Sequence, residues 1–210
     1  MVVLARPRRR RLMALARTYD AARGGIVVSV AGAYKDRLSR WSDIREYLPF
    51  LHEEARNRVN PVVLEAGTRK GNSTLAFLAG IRGGTGHVWS VDVNDVTADP
   101  DGMFLWRDYP AWTFVRGDDM DLSVQSLLPA QADILFIDSS HEYEHTLDEC
   151  RAYMPRVTPG GVALFHDTRL MMHREDTEPP VKRALDDWCR ETGMSWEEIP
   201  GDYGLGVIRL

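Results

Sequence analysis

The chain has 210 residues, of which 44% are hydrophobic and 27% are charged, and its formal net charge at pH 7 is −5. This length and composition are typical of one globular domain that buries a sheet between two layers of helices. No apolar run reaches the roughly 20 residues that span a bilayer, and an acidic chain has no overall attraction for nucleic acid. We therefore expect neither a membrane protein nor a nucleic-acid-binding protein.

The cysteines and the N-terminal residues indicate the compartment. Cys150 and Cys189, the two cysteines, fall within predicted helices, which favours a reducing cytoplasm over a secreted, disulfide-bonded protein. The apolar stretch at 12–16 is too short for the core of a signal peptide. An arginine-rich run at 6–11 is typical of a solvated chain end, although such runs can also bind nucleic acid or anionic lipid. The expected location is cytoplasmic.

Residues 1–60 are predicted to form an N-terminal helical extension. A basic helical pattern at 8–22 ends at a glycine pair, and 26–30 fits either a short strand or an ordered loop. A second helix is predicted to begin at Trp41, because apolar residues follow at helical spacing as far as Leu51. We expect the extension either to cover a ligand site or to form a contact in a homodimer, and the sequence does not choose between these.

A strand, a glycine turn and a helix follow one another between Val62 and Ser73. Apolar residues lead to Glu65, and Gly67 and Gly71 then permit the positive φ angles of a tight turn. The spacing E-x-G-x-x-x-G-x-S is neither the dinucleotide fingerprint nor the phosphate-binding loop. A carboxylate at the mouth of the turn repels phosphate and suits a ligand with a positive end, such as S-adenosylmethionine. The alternative is a glycine turn that merely ends a parallel strand.

The rest of the chain alternates strands with helices. Further strands are predicted at 87–92, 112–115, 133–138, 161–166, 196–199 and 205–209, and helices at 72–81, 120–128, 142–154 and 181–192. A long loop is predicted at 94–109, a turn at Pro159-Gly160, and a hairpin for the last two strands. This order predicts an α/β fold with a doubly wound, mostly parallel seven-stranded sheet.

Acidic residues stand at the predicted carboxyl ends of five strands: Glu65, Asp92, Asp118, Asp138 and Asp167. Parallel strands bring these ends to one edge of the sheet, where ligands bind at the point of reversed strand order. Asp92 can accept hydrogen bonds from both ribose hydroxyls of an adenosine, or it can simply cap a turn. Asp118 can accept a hydrogen bond from an adenine amino group, with Asp119 as its competitor.

The motifs, in this order along the chain, resemble those of class I S-adenosylmethionine-dependent methyltransferases. They are Glu65-Ala66-Gly67 with Gly71, Asp92, Gly117-Asp118, the strand at 134–138 and Pro159-Gly160-Gly161. The resemblance covers about 61–210 and implies that this part is the catalytic domain, with S-adenosylmethionine as its cofactor. It implies that the cofactor is bound by Glu65, Gly67, Thr68, Gly71, Ser73, Asp92, Gly117, Asp118 and Asp138.

A narrower resemblance concerns Asp138-Ser139-Ser140-His141 and His166-Asp167. These segments are similar to small-molecule O-methyltransferases of natural-product pathways, including macrolide sugar methyltransferases and cephalosporin-tailoring relatives. The resemblance implies a divalent cation held by Asp138, His166 and Asp167. Neighbouring strands lie about 4.8 Å apart, so acids at their ends can face one ion, and hard oxygen ligands favour Mg²⁺. His166 stands where the closer relatives carry an acid, which leaves room for Mn²⁺ or Fe²⁺.

His141 is expected to be the catalytic base. It follows Asp138 at a predicted helix start, where the positive end of the helix disfavours the imidazolium form. In the sugar methyltransferases that this segment resembles, the matching histidine has that role. The alternative is a histidine that only caps its helix or lines the site. His145, one helical turn further on, is expected to support His141 or to form part of the substrate wall.

The predicted function is transfer of a methyl group from S-adenosylmethionine to a hydroxyl group of a small metabolite, with help from a metal ion. The sulfonium is already activated, so the protein mainly aligns the attacking oxygen and removes one proton. Apolar residues within 103–109 and at 171–173 are expected either to form a lid over the acceptor or to be buried packing. One alternative is an iron-dependent hydroxylase on the same fold, with iron held by His141, His166 and Asp167. Another is a non-catalytic protein that binds nucleic acid or a partner through its arginine-rich start.

Overall fold

The computed structural model describes residues 29–81, 85–99, 103, 106 and 109–210. The predicted basic helix at 8–22 and the arginine-rich run lie outside the described residues. The helices are α1 (Val30–Ser39), α2 (Leu48–Arg56), α3 (Asn72–Gly80), α4 (Leu122–Gln125), α5 (Tyr143–Tyr153) and α6 (Pro180–Thr192). The strands are β1 (Val62–Ala66), β2 (His87–Asp92), β3 (Trp112–Arg116), β4 (Ala132–Ile137), β5 (Val157–His166), β6 (Glu197–Ile199) and β7 (Leu205–Arg209).

The seven strands form one sheet in the order β3-β2-β1-β4-β5-β7-β6. The first five strands of that order pair in parallel, and β7 runs antiparallel to both of its neighbours. The predicted α/β class, the seven-stranded sheet and the final hairpin are therefore confirmed. The direction in which strands are added reverses between β1 and β4, which pair with Ala66 opposite Ile137. A ligand cleft is expected beyond the carboxyl ends of these two strands.

Alternation along the strands divides the core into two layers. Ile134 and Phe136 of β4 pack in the layer of α1, α2 and α3, whereas Leu135 and Ile137 pack in the layer of α5 and α6. Seven of the nine residues of α3 are buried, because α3 lies between the sheet and the two N-terminal helices. The described part of the N-terminal region thus contributes to the main core, while its separation as an extension ending at residue 60 stays a prediction.

Two N-terminal elements differ from the sequence prediction. Val30 begins helix α1, whose start is capped by Ser29 Oγ accepting the N–H of Gly32 at 3.0 Å. This helix has no clear apolar pattern in the sequence, because its only buried residue is Ala33. The helix predicted from Trp41 begins later, at Leu48, after a 3₁₀ turn, and a proline in its first turn costs no hydrogen bond there.

The elements after β3 also differ at their ends. Strand β5 begins at Val157, so the turn predicted at Pro159-Gly160 is instead an irregularity within a longer strand, with Gly160 at φ 82°. Pairing of β4 with β5 shifts register at the same level, between Ala132 and Ile134. Helix α4 covers only part of the predicted 120–128 segment.

Two residues in the loop before β3 are buried in the core and do not form a lid. Met103 and Trp106 are 0% and 6% exposed and belong to the core layer of α1, α2 and α3. Tyr109 packs against the same layer, while Phe104 lies outside the described residues. Both cysteines are buried and free. In the described part of the chain, every helix is too short or too polar to cross a membrane.

Candidate active site

The turn after β1 requires glycine. Gly67 and Gly71 have φ angles of 88° and 70°, which residues with a Cβ atom rarely adopt. A Cβ atom on Gly67 would lie 1.9 Å from the carbonyl oxygen of Asp138. The turn therefore holds the end of β1 against the end of β4, and the main cleft opens beside this contact.

Glu65 lies beneath this turn. Its side chain is fully buried, and its carboxylate accepts hydrogen bonds from the hydroxyls of Ser73 at 2.6 Å, of Thr74 at 2.7 Å and of Ser90. The predicted position at the mouth of the turn is therefore wrong, because strand alternation directs Glu65 toward α3. Burial raises the pKa of Glu65 to about 7, although the three hydroxyl donors oppose the rise. Glu65 thus ties β1, β2 and α3 together below the site.

Glu65→Gln is expected to remove a pH dependence of the folding stability. The folded-state pKa of about 7 exceeds the ordinary value of 4.5, so the native state holds a proton that the unfolded state releases. The wild-type free energy of unfolding therefore falls as the pH rises from about 4.5 to about 7. At about 1.4 kcal/mol per pKa unit, the fall is on the order of 3 kcal/mol. Urea unfolding of both forms at several pH values measures the difference.

The matched control is the exposed Glu191→Gln, which removes the same charge from the surface of α6. It is expected to leave the wild-type pH dependence unchanged. A Glu65→Gln curve parallel to the wild-type curve across this range would contradict the assignment of the dependence to Glu65.

The main cleft has a volume of about 560 Å³, within the range of small-ligand sites. At one end it is lined by Asp92, Gly117 and Asp118. Asp92 Oδ2 accepts the N–H groups of Thr68 at 3.0 Å and of Arg69 at 2.8 Å. The carboxylate of Asp92 thus fixes the glycine turn while it faces the cleft.

A smaller cleft of about 390 Å³ lies on the other side of Arg69. Thr68, Ser73 and Asp138 line it together with Ser42 from the N-terminal region. The hydroxyl oxygens of Ser42 and Thr68 are buried and have no hydrogen-bond partner. Buried polar atoms are nearly always paired, so these two hydroxyls indicate a place where a polar ligand group binds.

Four ionisable side chains meet where β4 and β5 end. His141 Nε2 lies 3.2 Å from Asp138 Oδ1 and 3.0 Å from Asp167 Oδ2. His166 Nδ1 lies 3.1 Å and 3.0 Å from the same two oxygens. Two imidazole nitrogens therefore bridge one pair of carboxylate oxygens. The ligand atoms of Asp138, His141 and Asp167 all lie within 4.8 Å of one another, a spacing that can hold a metal ion.

The backbone and the unpaired atoms of this cluster are unusual. His141 and Asp167 have φ angles of 61° and 64°, which non-glycine residues seldom adopt outside functional sites and special turns. Asp167 Oδ1 and His166 Nε2 are buried without a hydrogen-bond partner. Only His141 of the two histidines lines the cleft, with 23% of its side chain exposed against 1% for His166.

The charges in the cluster shift one another's pKa values. Burial favours neutral His166, but Asp138 and Asp167 outweigh burial and raise the pKa of His166 to about 10. Burial would raise the pKa of Asp138, yet the two histidines hold it well below its ordinary value. The pKa of His141 is raised because both acids outweigh its burial. The expectation that a helix start keeps His141 neutral is therefore wrong, since α5 begins later, at Tyr143.

Apolar side chains line the cleft beside the cluster. Leu170 and Met172 come from the loop after β5, and Tyr203 comes from the turn between β6 and β7. The ring of Tyr203 lies 6.1 Å from that of His166 at an interplanar angle of 29°. In the predicted 171–173 segment, Met172 thus reaches the cleft, whereas His173 pairs with Glu142.

Comparison with protein-family models identifies the chain. Residues 64–168, half of the sequence, match a family model described as a methyltransferase domain. The chain belongs to this methyltransferase family. The prediction of a class I S-adenosylmethionine-dependent methyltransferase is thereby confirmed. A search of curated proteins finds no match.

Solved structures with the fold of this methyltransferase include several methyltransferases. An SAH-bound O-methyltransferase from Bacillus cereus is 13% identical, with 96% of this chain and 100% of that chain covered and a TM-score of 0.64. TomG from Streptomyces achromogenes is an O-methyltransferase of tomaymycin synthesis, solved in complex with SAM. It is 14% identical, with 96% of this chain and 98% of that chain covered and a TM-score of 0.64. The SAH-bound methyltransferase PaMTH1 from Podospora anserina is 15% identical, with 100% of this chain and 98% of that chain covered and a TM-score of 0.63. At these identities the likeness concerns the fold.

The structure of this methyltransferase brings most of the predicted site residues together. Those that line the main cleft are Gly67, Asp92, Gly117, Asp118, Asp138, His141 and Asp167. Thr68 and Ser73 line the smaller cleft, while Glu65, Gly71 and His166 lie behind the two clefts without lining either. The role of each residue stays a prediction.

Sequence reasoning missed several residues that shape the clefts of this methyltransferase. Asp43 and Arg69 form an ion pair and line both clefts, so the pair stands between them. Ser42 and Tyr203 come from an N-terminal loop and from the final hairpin. Arg69 occupies an unspecified position of the glycine-turn motif, and the other three carry no local motif, because they approach the site only through the tertiary fold.

Proposed function

We propose that this methyltransferase transfers a methyl group from S-adenosylmethionine to a hydroxyl group of a small metabolite, with a divalent cation beside the acceptor. The observation that carries the proposal is that the cluster of Asp138, His141 and Asp167 faces the same cleft as Asp92 and Gly117. The groups that we assign to proton acceptance and to adenosine binding therefore line one cavity. A cytoplasmic location and a homodimer stay predictions.

We propose one orientation of the cofactor across the two clefts. Asp92 suits the ribose hydroxyls and Asp118 suits the adenine amino group, because both carboxylates line the main cleft. The amino-acid end of S-adenosylmethionine then points to the smaller cleft, where the unpaired hydroxyls of Ser42 and Thr68 can bind its polar groups. Asp138 lines both clefts and provides negative charge where the positive sulfonium and ammonium lie.

Glu65 and Gly71 take part indirectly in this arrangement. Glu65 is fully buried and lines neither cleft, so it positions the turn through its hydroxyl partners and does not contact the cofactor. Gly71 has a similar structural role, because a Cβ atom there would collide with the side chain of Met103. We therefore assign Glu65 and Gly71 to the support of the cofactor site.

The residues present fit a divalent cation. Asp138 and Asp167 supply hard oxygen ligands, and His166 Nδ1, which lies between them, adds a nitrogen ligand once it gives up its proton. The unpaired, buried Oδ1 atom of Asp167 is a further donor without a partner in the protein. When bound, such a cation acts as a Lewis acid that lowers the pKa of an acceptor hydroxyl and orients it. Oxygen ligands favour Mg²⁺, while the histidine admits Mn²⁺ or Fe²⁺.

His141 is the group placed to take the acceptor proton. Its imidazole is partly exposed to the cleft, whereas His166 is buried behind it. As the acceptor oxygen forms a bond to the methyl carbon, the carbon–sulfur bond breaks and the sulfonium becomes a neutral thioether. His141 accepts the hydroxyl proton, so the oxygen ends as an uncharged methyl ether.

The acceptor wall indicates a compact substrate with an apolar part. Leu170, Met172 and Tyr203 line the cleft next to His141 and offer an apolar surface with one phenol group. Similar solved structures include an O-methyltransferase of tomaymycin synthesis, which supports a natural-product hydroxyl as the acceptor. This assignment to natural-product biosynthesis belongs to the proposal.

Removal of divalent ions is expected to lower the methylation rate at least tenfold. Methyl transfer from labelled S-adenosylmethionine to a panel of sugars, catechols and polyketide alcohols would be measured with and without excess chelator. Added Mg²⁺ or Mn²⁺ should restore the rate. Full activity in excess chelator would eliminate the metal from the proposal. Failure to methylate any of the hydroxyl compounds, whichever metal ion is added, would count against O-methylation itself.

A second candidate function is favoured by the two histidines in the cluster. His141 and His166 each place a ring nitrogen 3.0 Å from Asp167 Oδ2, and two nitrogens with a carboxylate are the donor set of non-haem iron oxygenases. Anaerobic titration with Fe²⁺, followed by absorbance on addition of oxygen, separates this candidate from methyl transfer. Oxygen-dependent hydroxylation of an acceptor without S-adenosylmethionine would favour the iron enzyme.

A further inference from the structure

A second cluster of ionisable side chains lies in the wall of the main cleft. It consists of Asp119 from the turn after β3 and of His145 and Glu149 from α5. One ligand atom from each of the three lies within 4.8 Å of the other two. Asp119 and His145 line the cleft, whereas Glu149 is fully buried behind them. None of these groups has a part in the proposed methyl transfer.

The cluster contains an unusual concentration of unpaired polar atoms. Among the described residues, eight buried side-chain nitrogen or oxygen atoms have no hydrogen-bond partner, and three of them belong to this cluster. These three are Asp119 Oδ2, His145 Nε2 and Glu149 Oε2. Glu149 is 0% exposed and Asp119 is 8% exposed, so water does not readily reach the two carboxylate oxygens, whereas His145 is 27% exposed and its Nε2 lies 3.2 Å from Asp119 Oδ1. Two facing carboxylates and an imidazole in one place are completed either by an ion or by a proton that Glu149 shares with Asp119, and metal binding distinguishes the two.

The spacing of the cluster fits a small metal ion. His145 Nε2 lies 3.2 Å from Asp119 Oδ1 and 3.7 Å from Glu149 Oε1. Neighbouring ligands of a tetrahedral ion with bonds of about 2.1 Å are roughly 3.4 Å apart. The two observed separations lie on either side of that value.

The elements that carry the ligands are held in place before any ion binds. His145 and Glu149 are four residues apart on α5 and therefore share one face of the helix. Ser139 donates its hydroxyl hydrogen to Glu149 Oε1 at 2.6 Å, and the carbonyl oxygen of Asp119 accepts the hydroxyl of Tyr153. These contacts fix the carboxylate of Glu149 and the backbone at Asp119.

We propose that Asp119, His145 and Glu149 form a second metal site, which binds a first-row transition-metal ion such as Zn²⁺ in the wall of the main cleft. One imidazole and two carboxylates suit Zn²⁺ or Mn²⁺ better than Mg²⁺, which prefers oxygen ligands and bound water. The ion joins α5 to the turn after β3, next to Asp118. This site is separate from the Asp138 cluster and does not depend on the proposed function.

The test is a calorimetric titration of the full chain with Zn²⁺, combined with elemental analysis after dialysis. Wild type is expected to bind two ions tightly per chain, one in each cluster. Glu149→Gln keeps the shape and the Ser139 contact but removes a charged ligand, so it should bind one ion. His145→Asn, at a partly exposed position, should give the same loss if Glu149→Gln fails to fold. Glu144→Gln, on the exposed face of α5, is the matched control and should bind two.

Asp167→Asn distinguishes the two clusters. It is expected to remove the ion of the Asp138 cluster and to retain the ion of the second site. If wild type binds one ion that is lost in Glu149→Gln and kept in Asp167→Asn, the second site stands while the metal of the proposed function fails. The second site is overturned if Glu149→Gln and His145→Asn bind as many ions as wild type, or if wild type binds none.

Discussion

His141→Ala is expected to lower kcat by about 10²- to 10⁴-fold, the range for loss of a general base. The affinity for S-adenosylmethionine should hardly change, because the residues proposed to bind the cofactor are all retained. The bound divalent ion should also be retained, since Asp138, His166 and Asp167 are intact. Steady-state kinetics, cofactor calorimetry and metal analysis of the same preparation provide the three measurements.

The pH profile adds a second test of His141. Asp138 and Asp167 raise the pKa of His141 above its ordinary value, despite its burial. The base is active when neutral, so wild-type kcat/KM should rise with pH through the pKa of His141, and the rise should be absent in His141→Ala. His173→Ala is the matched control, because His173 is an exposed histidine paired with Glu142. Unchanged kcat in His141→Ala, or the same loss in His173→Ala, would contradict the role of His141 as base.

Gly67→Ala is expected to cost more than about 4 kcal/mol of folding stability, or to abolish cofactor binding in whatever protein still folds. A positive φ costs a non-glycine residue about 1–2 kcal/mol. The larger part of the effect is steric, because the new Cβ would lie 1.9 Å from the carbonyl oxygen of Asp138. Backbone cannot yield there as a flexible side chain does, so the ends of β1 and β4 must separate. Chemical denaturation and calorimetry with S-adenosylmethionine measure the two effects.

Gly160 provides a matched control for this substitution. Its φ of 82° is close to the 88° of Gly67, yet a Cβ atom there would meet nothing within 4 Å. Gly160→Ala should therefore cost only about 1–2 kcal/mol and leave cofactor binding intact. Equal losses of folding stability in the two variants would mean that the positive φ alone accounts for the need for glycine at position 67. The contact between the ends of β1 and β4 would then add nothing to the effect.

The sheet was predictable from sequence because its signals are local. The apolar runs of β1 and β4 and the glycine turn at Gly67 mark the central strands directly. Helix α1 was missed because its weak apolar pattern leaves only Ala33 buried. The turn expected at Pro159-Gly160 lies inside β5, where pairing with β4 overrides the local turn preference.

The site was predictable only in part. Strand-end acids such as Asp92 and Asp138 follow from topology, because parallel strands end on one edge. The burial of Glu65 depends on which side of β1 faces α3, and the sequence alone does not give that side. Likewise, the charge state of His141 depends on Asp167, which comes from another strand end. Such features arise from tertiary contacts and carry no local signal.

The central claim is that S-adenosylmethionine binds at the carboxyl ends of β1 and β2. Calorimetry with this cofactor tests the claim most directly when wild type is compared with Asp92→Ala and Asp95→Ala. Asp95 is an exposed acid three residues after Asp92 and outside both clefts, which makes it the matched control. Wild type and Asp95→Ala should each bind one cofactor per chain. Asp92→Ala should bind about 10²- to 10⁴-fold more weakly, because two hydrogen bonds to a charged group contribute about 1.5–3 kcal/mol each. Absence of binding by wild type at high micromolar cofactor, or equal affinity in all three proteins, would contradict an adenosyl site at the carboxyl ends of β1 and β2.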